Sequence, residues 1–320
     1  MTVRVLMRAN ASKSIGAGHV MRLCAIAEEL VLRGHEVSLC ADYIELDWVR
    51  NYLSGIDFHK VVIHDSGLGE FETRSHIVVA DSYVKDFLTN SLLNYTWRKR
   101  VLVWDSFTPV VDSEIYFVPS LDKPPVLGKS TNVLSGPEFI PLRCGIRKRD
   151  WSFTNSPKKL FVIAGGSDPF NLIPYLHGVF SELNLNLSIT FVGAAVSSTS
   201  KSIRFIDFSE NIDLLLNEAD LVIATASTSS YEILARGIPL AIVQAADNQA
   251  SNYSKLIASK LAVGLGIRIK DSHWEIDREL LVDFISGFEQ KFDSRNTIQP
   301  PLDLNGSSRI ATALEIAWEG

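Results

Sequence analysis

His19 closes the run Ser14-Ile-Gly16-Ala-Gly18-His19, set between an apolar stretch, Val3 to Met7, and an amphipathic one, Val20 to Arg33. The pattern reads as strand, glycine loop and helix. Gly16 and Gly18 permit positive φ and close approach of backbone to a ligand, and the helix start behind them offers unpaired N–H groups to an anion such as phosphate. A histidine there can take or give a proton near neutral pH, so His19 is a candidate general base or acid; the alternative is a capping or phosphate-contact histidine. Two familiar glycine loops do not fit. The dinucleotide fingerprint requires a third glycine where Met21 stands, and a Walker loop requires Lys-Ser/Thr after its last glycine.

Further candidates stand at the ends of apolar runs, where open parallel sheets bind ligands: Arg8 and Asn10, Asp81 and Tyr83, Asp105 and Ser106. They are expected to gather around His19, although each acid could instead be a helix N-cap or a loop hydrogen-bonding group. In the second half, an apolar run ends in Thr225-Ala-Ser227-Thr228-Ser-Ser-Tyr-Glu232. Hydroxyls and N–H groups there can hold a diphosphate, and Glu232 can accept two ribose hydroxyls. A capping box from Ser229 to Glu232 is the alternative. The amides Asn248 and Gln249 follow another buried run and could bind sugar hydroxyls or cap the next helix.

The elements that must position these residues read as α/β. Glu36 to Cys40, Lys60 to Ile63, Ile77 to Ala80 and Val101 to Trp104 are short buried runs alternating with helical patterns, as in a doubly wound parallel sheet. Between Ser106 and Ser156 prolines break the rhythm, and the domain junction belongs there. The pattern restarts with Lys159 to Ala164, then Gly165-Gly166-Ser-Asp-Pro169 and a helix from about Asn171, with further strands at Leu187 to Val192, Ile203 to Ile206, Leu221 to Ala224 and Leu240 to Val243. Two Rossmann-like domains facing across a cleft are expected, residues 1–145 and 155–300, with a last helix in 301–320 packing back toward the first.

Composition bounds the function. The chain has 320 residues, 46% hydrophobic, with a net charge of -6. The basic Arg147-Lys148-Arg149 run is short and no extended cluster of cations is seen, so no nucleic-acid partner is expected. The three cysteines, Cys24, Cys40 and Cys144, are widely spaced, which suggests neither a disulfide framework nor a zinc site and fits a reducing cytoplasm. Arg4 and Arg8 interrupt the first apolar run, and no run approaches the roughly 20 apolar residues of a spanning helix, so neither signal peptide nor membrane insertion is expected.

Several ordered stretches resemble the PseG/SpsG family of nucleotide-sugar hydrolases, relatives of MurG-type glycosyltransferases with the GT-B fold. They are Arg8 to Arg22, Asp81-Ser-Tyr83, Gly136-Pro-Glu-Phe, Leu142-Arg143, Gly165 to Asn171, Ala226 to Glu232, Asp247-Asn-Gln249 and Asn305-Gly-Ser-Ser-Arg309. The resemblance implies metal-independent, cofactor-free hydrolysis of UDP-2,4-diacetamido-2,4,6-trideoxy-β-L-altropyranose, with inversion, by a monomer in pseudaminic acid biosynthesis. It implies that His19 activates water and that Tyr83 lies beside the sugar. Gly166, Ser227, Thr228 and Glu232 match nucleotide contacts, and Asn248 and Gln249 match sugar- and phosphate-side amides. Gly16, Gly18, Asp81 and Asp105 are grouped with them as substrate-facing positions. Two positions depart from the family: Asn10, placed with the catalytic group, stands where an aspartate is usual, and Ser106 replaces a second acid.

The chemistry asks little beyond positioning. UDP is a good leaving group, so donors that neutralise its diphosphate and one base for the incoming oxygen suffice. A GT-B glycosyltransferase would use the same donor site with an acceptor hydroxyl in place of water. A nucleotide-sugar sensor without catalysis is a further alternative, which His19 and Tyr83 argue against.

Overall fold

The computed structural model of the chain describes residues 2–65, 67–104, 111–122, 132–148, 158–183, 185, 187–193, 202–207, 212–270, 273–287 and 302–320. It divides into two compact units, one of Met1–Cys144 with Asp303–Gly320, the other of Gly145–Leu302.

The first unit holds strands β1 Arg4–Arg8, β2 Glu36–Ala41, β3 Lys60–Ile63, β4 Ile77–Asp81, β5 Lys99–Val103, β6 Ile115–Val118 and β7 Asn132–Ser135. They form one seven-stranded sheet in the order β3-β2-β1-β4-β5-β6-β7, every pair parallel. Its strands are apolar on both faces because both faces are covered. On one, Val5, Met7 and Val79 pack with Val20, Leu23 and Ala27 of α1 (Gly18–Leu32) and with Ile310 and Leu314 of the terminal helix Gly306–Glu319. On the other, Leu6, Val78 and Ala80 pack with Leu88 and Leu92 of α3 (Lys85–Leu93), which follows α2 (Asp47–Ser54). The terminal helix is seated closely: a Cβ on Gly306 would stand 1.8 Å from the Ile140 carbonyl oxygen. Ser307 Oγ donates to the Leu142 carbonyl at 2.9 Å, and Arg33 reaches Ser308, Thr312 and Glu315.

The second unit holds β8 Lys158–Ile163, β9 Leu187–Val192, β10 Ile203–Ile206, β11 Leu221–Thr225, β12 Leu240–Gln244, β13 Val263–Lys270 and β14 His273–Ile276. Their order is β10-β9-β8-β11-β12-β13-β14, parallel except for the antiparallel pair β13/β14. Its helices are α4 Leu172–Glu182, α5 Ile212–Asn217, α6 Ser229–Ala235, α7 Ala250–Ala258 and α8 Arg278–Ser286. Leu160, Val162, Phe191, Ile223, Val243, Leu281 and Phe284 build a separate core.

Four strands go beyond the sequence expectation. β6 and β7 lie inside the stretch expected to be irregular, and β13 and β14 extend the second sheet past β12. Each sheet reverses its winding once, between β1 and β4 in the first unit and between β8 and β11 in the second. These are the crevices, beyond the carboxyl ends of the strands, where sheets of this kind bind ligands.

Candidate active site

The crevice of the first unit is flanked by the loop after β1, which leads into α1, and by the end of β4. Gly16 takes φ +76°, a conformation that favours glycine, and the Ser12–Gly16 turn closes through reciprocal backbone hydrogen bonds. The helix begins at Gly18, earlier than the sequence pattern suggests, so His19 sits in its first turn and is buried. Asp81 ends β4. Its Oδ1 lies 2.6 Å from His19 Nδ1, and both of its oxygens are held by Arg22, at 2.9 Å from Nε and 2.8 Å from Nη2. Arg22 follows His19 by three residues, which puts both side chains on one helix face.

This geometry chooses the tautomer. A carboxylate can only accept, so Nδ1 carries the proton toward Asp81 and Nε2 presents its lone pair. Arg22 Nη2 approaches the same Nδ1 at 3.2 Å, but two donors cannot bond, so this is a contact and the guanidinium is committed to Asp81. Burial alone would push the Asp81 carboxyl up; the Arg22 guanidinium and the imidazole outweigh it and hold the carboxyl below its ordinary range. Among the described residues Nε2 has no hydrogen-bond partner. Tyr83, 45% exposed, sets its ring edge-on to the imidazole with centroids 4.6 Å apart.

Not every expected neighbour joins this group. Asn10 is buried, but its Oδ1 accepts from the Asp42 amide at 2.8 Å, so it ties the loop after β2; the carboxylate that serves His19 is Asp81. Arg8 turns away as well. Its guanidinium lies over Phe87 and bonds Ser91, the Cys40 carbonyl and Asp42, a buried clamp inside the unit. Arg143 is buried with its guanidinium 5.6 Å from the Tyr52 ring centroid. Asp105 and Ser106 lie outside the described residues. Arg22 is the member that sequence reasoning left without a role; its spacing from His19 was the available signal.

In the second unit, the loops after β8 and β11 flank the other crevice. Gly165, at φ +102°, brings its loop against Thr225, whose Oγ1 would lie 3.7 Å from a Cβ there. A chain of hydroxyls runs from Thr225 to Ser227 at 3.2 Å and on to Ser229 at 3.1 Å. Asn252 of α7 pins this loop by donating to the Ala226 carbonyl at 3.0 Å. The capping alternatives are not formed: Thr228 is the N-cap residue of α6 and Gln249 that of α7, and neither makes a side-chain cap bond. Asp168 caps α4 instead, accepting from the Leu172 and Ile173 amides. Gly166, Ser227, Thr228 and Glu232 are half-buried, Asn248 is exposed, and Gln249 accepts the Ala245 amide at 2.9 Å. Among the described residues no group of three His, Cys, Asp or Glu side chains gathers in a way that could hold a metal ion, and no helix is long and apolar enough to cross a membrane.

Two parallel sheets of this topology, each with a glycine loop at its switch point, define the GT-B fold. Solved structures match the chain end to end. A kitacinnamycin glycotransferase aligns with TM-score 0.66 at 14% identity over 99% of this chain and 100% of its own. MurG of Acinetobacter baumannii gives 0.58 at 14% identity over 98% and 100%. A UDP-glucosyltransferase of Polygonum tinctorium capable of glucosylating indoxyl gives 0.63 at 13% identity over 100% and 99%. No protein-family model matches, and no curated protein does. Likeness at this identity establishes the fold; function rests on the sites.

Proposed function

We propose that this protein cleaves the glycosyl–phosphate bond of a UDP-sugar with inversion, using His19 to activate an oxygen nucleophile. The observation that carries the reading is the His19 Nδ1–Asp81 hydrogen bond, which leaves Nε2 as a base at the switch point of the first sheet. Nε2 takes the proton of the incoming O–H as the new bond forms at the anomeric carbon. The bond from that carbon to the phosphate oxygen breaks, and its electron pair leaves with UDP. Asp81 stabilises the imidazolium, and Arg22 keeps Asp81 ionised and aimed. In the second unit, Ser227, Thr228 and the Gly165-Gly166 loop would hold the diphosphate, and Glu232 the ribose.

The nucleophile divides two readings. Structural likeness to glycosyltransferases supports an acceptor hydroxyl as the nucleophile. The ordered stretches shared with the PseG/SpsG family support water, and with it a diacetamido-trideoxyhexose as the sugar. The test is incubation with a panel of UDP-sugars, reading UDP release with and without acceptors. Release with water alone selects the hydrolase, release that requires an acceptor selects the transferase, and no release from any donor rejects both.

A further inference from the structure

The residues assigned to the nucleotide above, Gly166, Ser227, Thr228, Glu232, Asn248 and Gln249, are neutral groups and one acid. None supplies positive charge to a diphosphate. A planar guanidinium meets that need well, because it can bond two oxygens at once.

Arg268 is built for such a contact. Gln244, the last residue of β12, pairs with Ile267 of β13, so Arg268 stands at the carboxyl edge of the sheet. Its Nε donates to the Ala245 carbonyl at 2.6 Å, and its Cζ lies 3.9 Å from the centroid of the Phe170 ring. Phe170 belongs to the loop after β8 and is itself held, since Trp274 Nε1 donates to its carbonyl at 3.3 Å. The guanidinium plane is therefore fixed by a ring on one face and a carbonyl on one edge. Among the described residues neither Nη has a hydrogen-bond partner.

The backbone contributes to this aim. Pairing passes from Ile242–Gly264 to Val243–Gly266, so β13 carries one extra residue at Leu265. Such a bulge reverses the face on which later side chains stand. Gly266 takes φ +148°, and a Cβ there would stand 1.9 Å from the Glu275 carbonyl oxygen, so the bulge requires glycine.

We infer that Arg268 is an oxyanion-binding residue, offering both Nη groups to the diphosphate of the nucleotide from a platform made by Phe170 and the Ala245 carbonyl. This rests on the second unit being the nucleotide-binding one. The test is calorimetry of the full chain, wild type and Arg268→Gln, with UDP, uridine and inorganic pyrophosphate. UDP should bind the variant roughly 10- to 100-fold more weakly, the worth of a charged hydrogen-bonded pair, while uridine is unchanged. Equal loss for UDP and uridine would make Arg268 a structural clamp and overturn the inference, as would unchanged UDP affinity. If wild type binds pyrophosphate but not UDP, and Arg268→Gln loses pyrophosphate, the oxyanion site stands and the nucleotide reading fails. If wild type binds neither, both fail. Should Arg268→Gln not fold, Arg268→Lys keeps the charge without the fork: a several-fold selective loss of UDP supports the inference, and no loss overturns it.

Discussion

Asp81 determines what His19 can do. Replacing it by asparagine turns an acceptor-only carboxylate into an amide that can also donate, so the tautomer is no longer fixed, and it leaves the buried Arg22 without its counter-charge. His19→Asn and Asp81→Asn should therefore fail differently. His19→Asn keeps the fold and UDP affinity and loses roughly 10²- to 10⁴-fold in turnover, the span of general base catalysis. Asp81→Asn loses up to ~10⁴-fold in turnover and in addition about 3–5 kcal/mol of stability, since one partner of a buried pair is left alone. The pair also sets an acid limit. The Asp81 carboxyl titrates lower in the folded chain than unfolded, so its contribution is complete above the unfolded value of about 4 and is lost as pH falls through the lower folded value. Thermal melts from pH 6 to 3 should show that loss in wild type and a shallower slope in Asp81→Asn. Parallel slopes, or near-wild-type turnover in His19→Asn, would take this triad out of stability or chemistry respectively.

At the scale of elements, the terminal helix completes the first unit. Its seat depends on Gly306, because any side chain there meets backbone at Ile140, which cannot rotate aside. Gly306→Ala should cost about 1–3 kcal/mol, the usual penalty for overpacking, and lower the melting temperature, whereas Gly178→Ala, where nothing lies within 4 Å, should not. Equal melting temperatures for the two would mean the helix can lift without cost. The same scale explains what the sequence pattern disclosed. Lys60–Ile63, Leu187–Val192 and Ile203–Ile206 emerge with the expected bounds, because strands in covered parallel sheets read as short continuous apolar runs. Ile115–Val118 was hidden among prolines. Asn132–Ser135 is short and only partly buried, Val263–Lys270 carries two glycines of which one makes a bulge, and His273–Ile276 is an antiparallel edge with only Trp274 buried. At the site, His19 was legible as a type behind a glycine loop, and Asp81 and Tyr83 as types at a strand end. The partnership of Arg22 was not, since its carboxylate comes from a strand 59 residues away, and Arg268 depends on a bulge that no local pattern announces.

For the whole molecule, the proposed function divides base and nucleotide between the two sheets, each with one switch point. The first crevice holds a buried imidazole oriented by a carboxylate; the second is flanked by hydroxyls and glycine backbone, with the Arg268 guanidinium at the carboxyl edge of the same sheet. Binding that orders a loop slows exchange of its amide hydrogens, because local opening then also costs the lost ligand contacts. With UDP present, hydrogen exchange should slow in residues 165–171, 225–229 and 244–249 and at the end of β13. It should stay unchanged in residues 12–19, where the expected ligand is the reacting oxygen and sugar. A donor analogue that keeps its sugar should extend protection to residues 12–19 and to Tyr83, which flanks His19 at 4.6 Å between ring centroids. If UDP alone protects residues 12–19 and leaves 225–229 unaffected, the glycine loop before His19 is the phosphate site. His19 is then a nucleotide contact, and the base must be sought among other side chains.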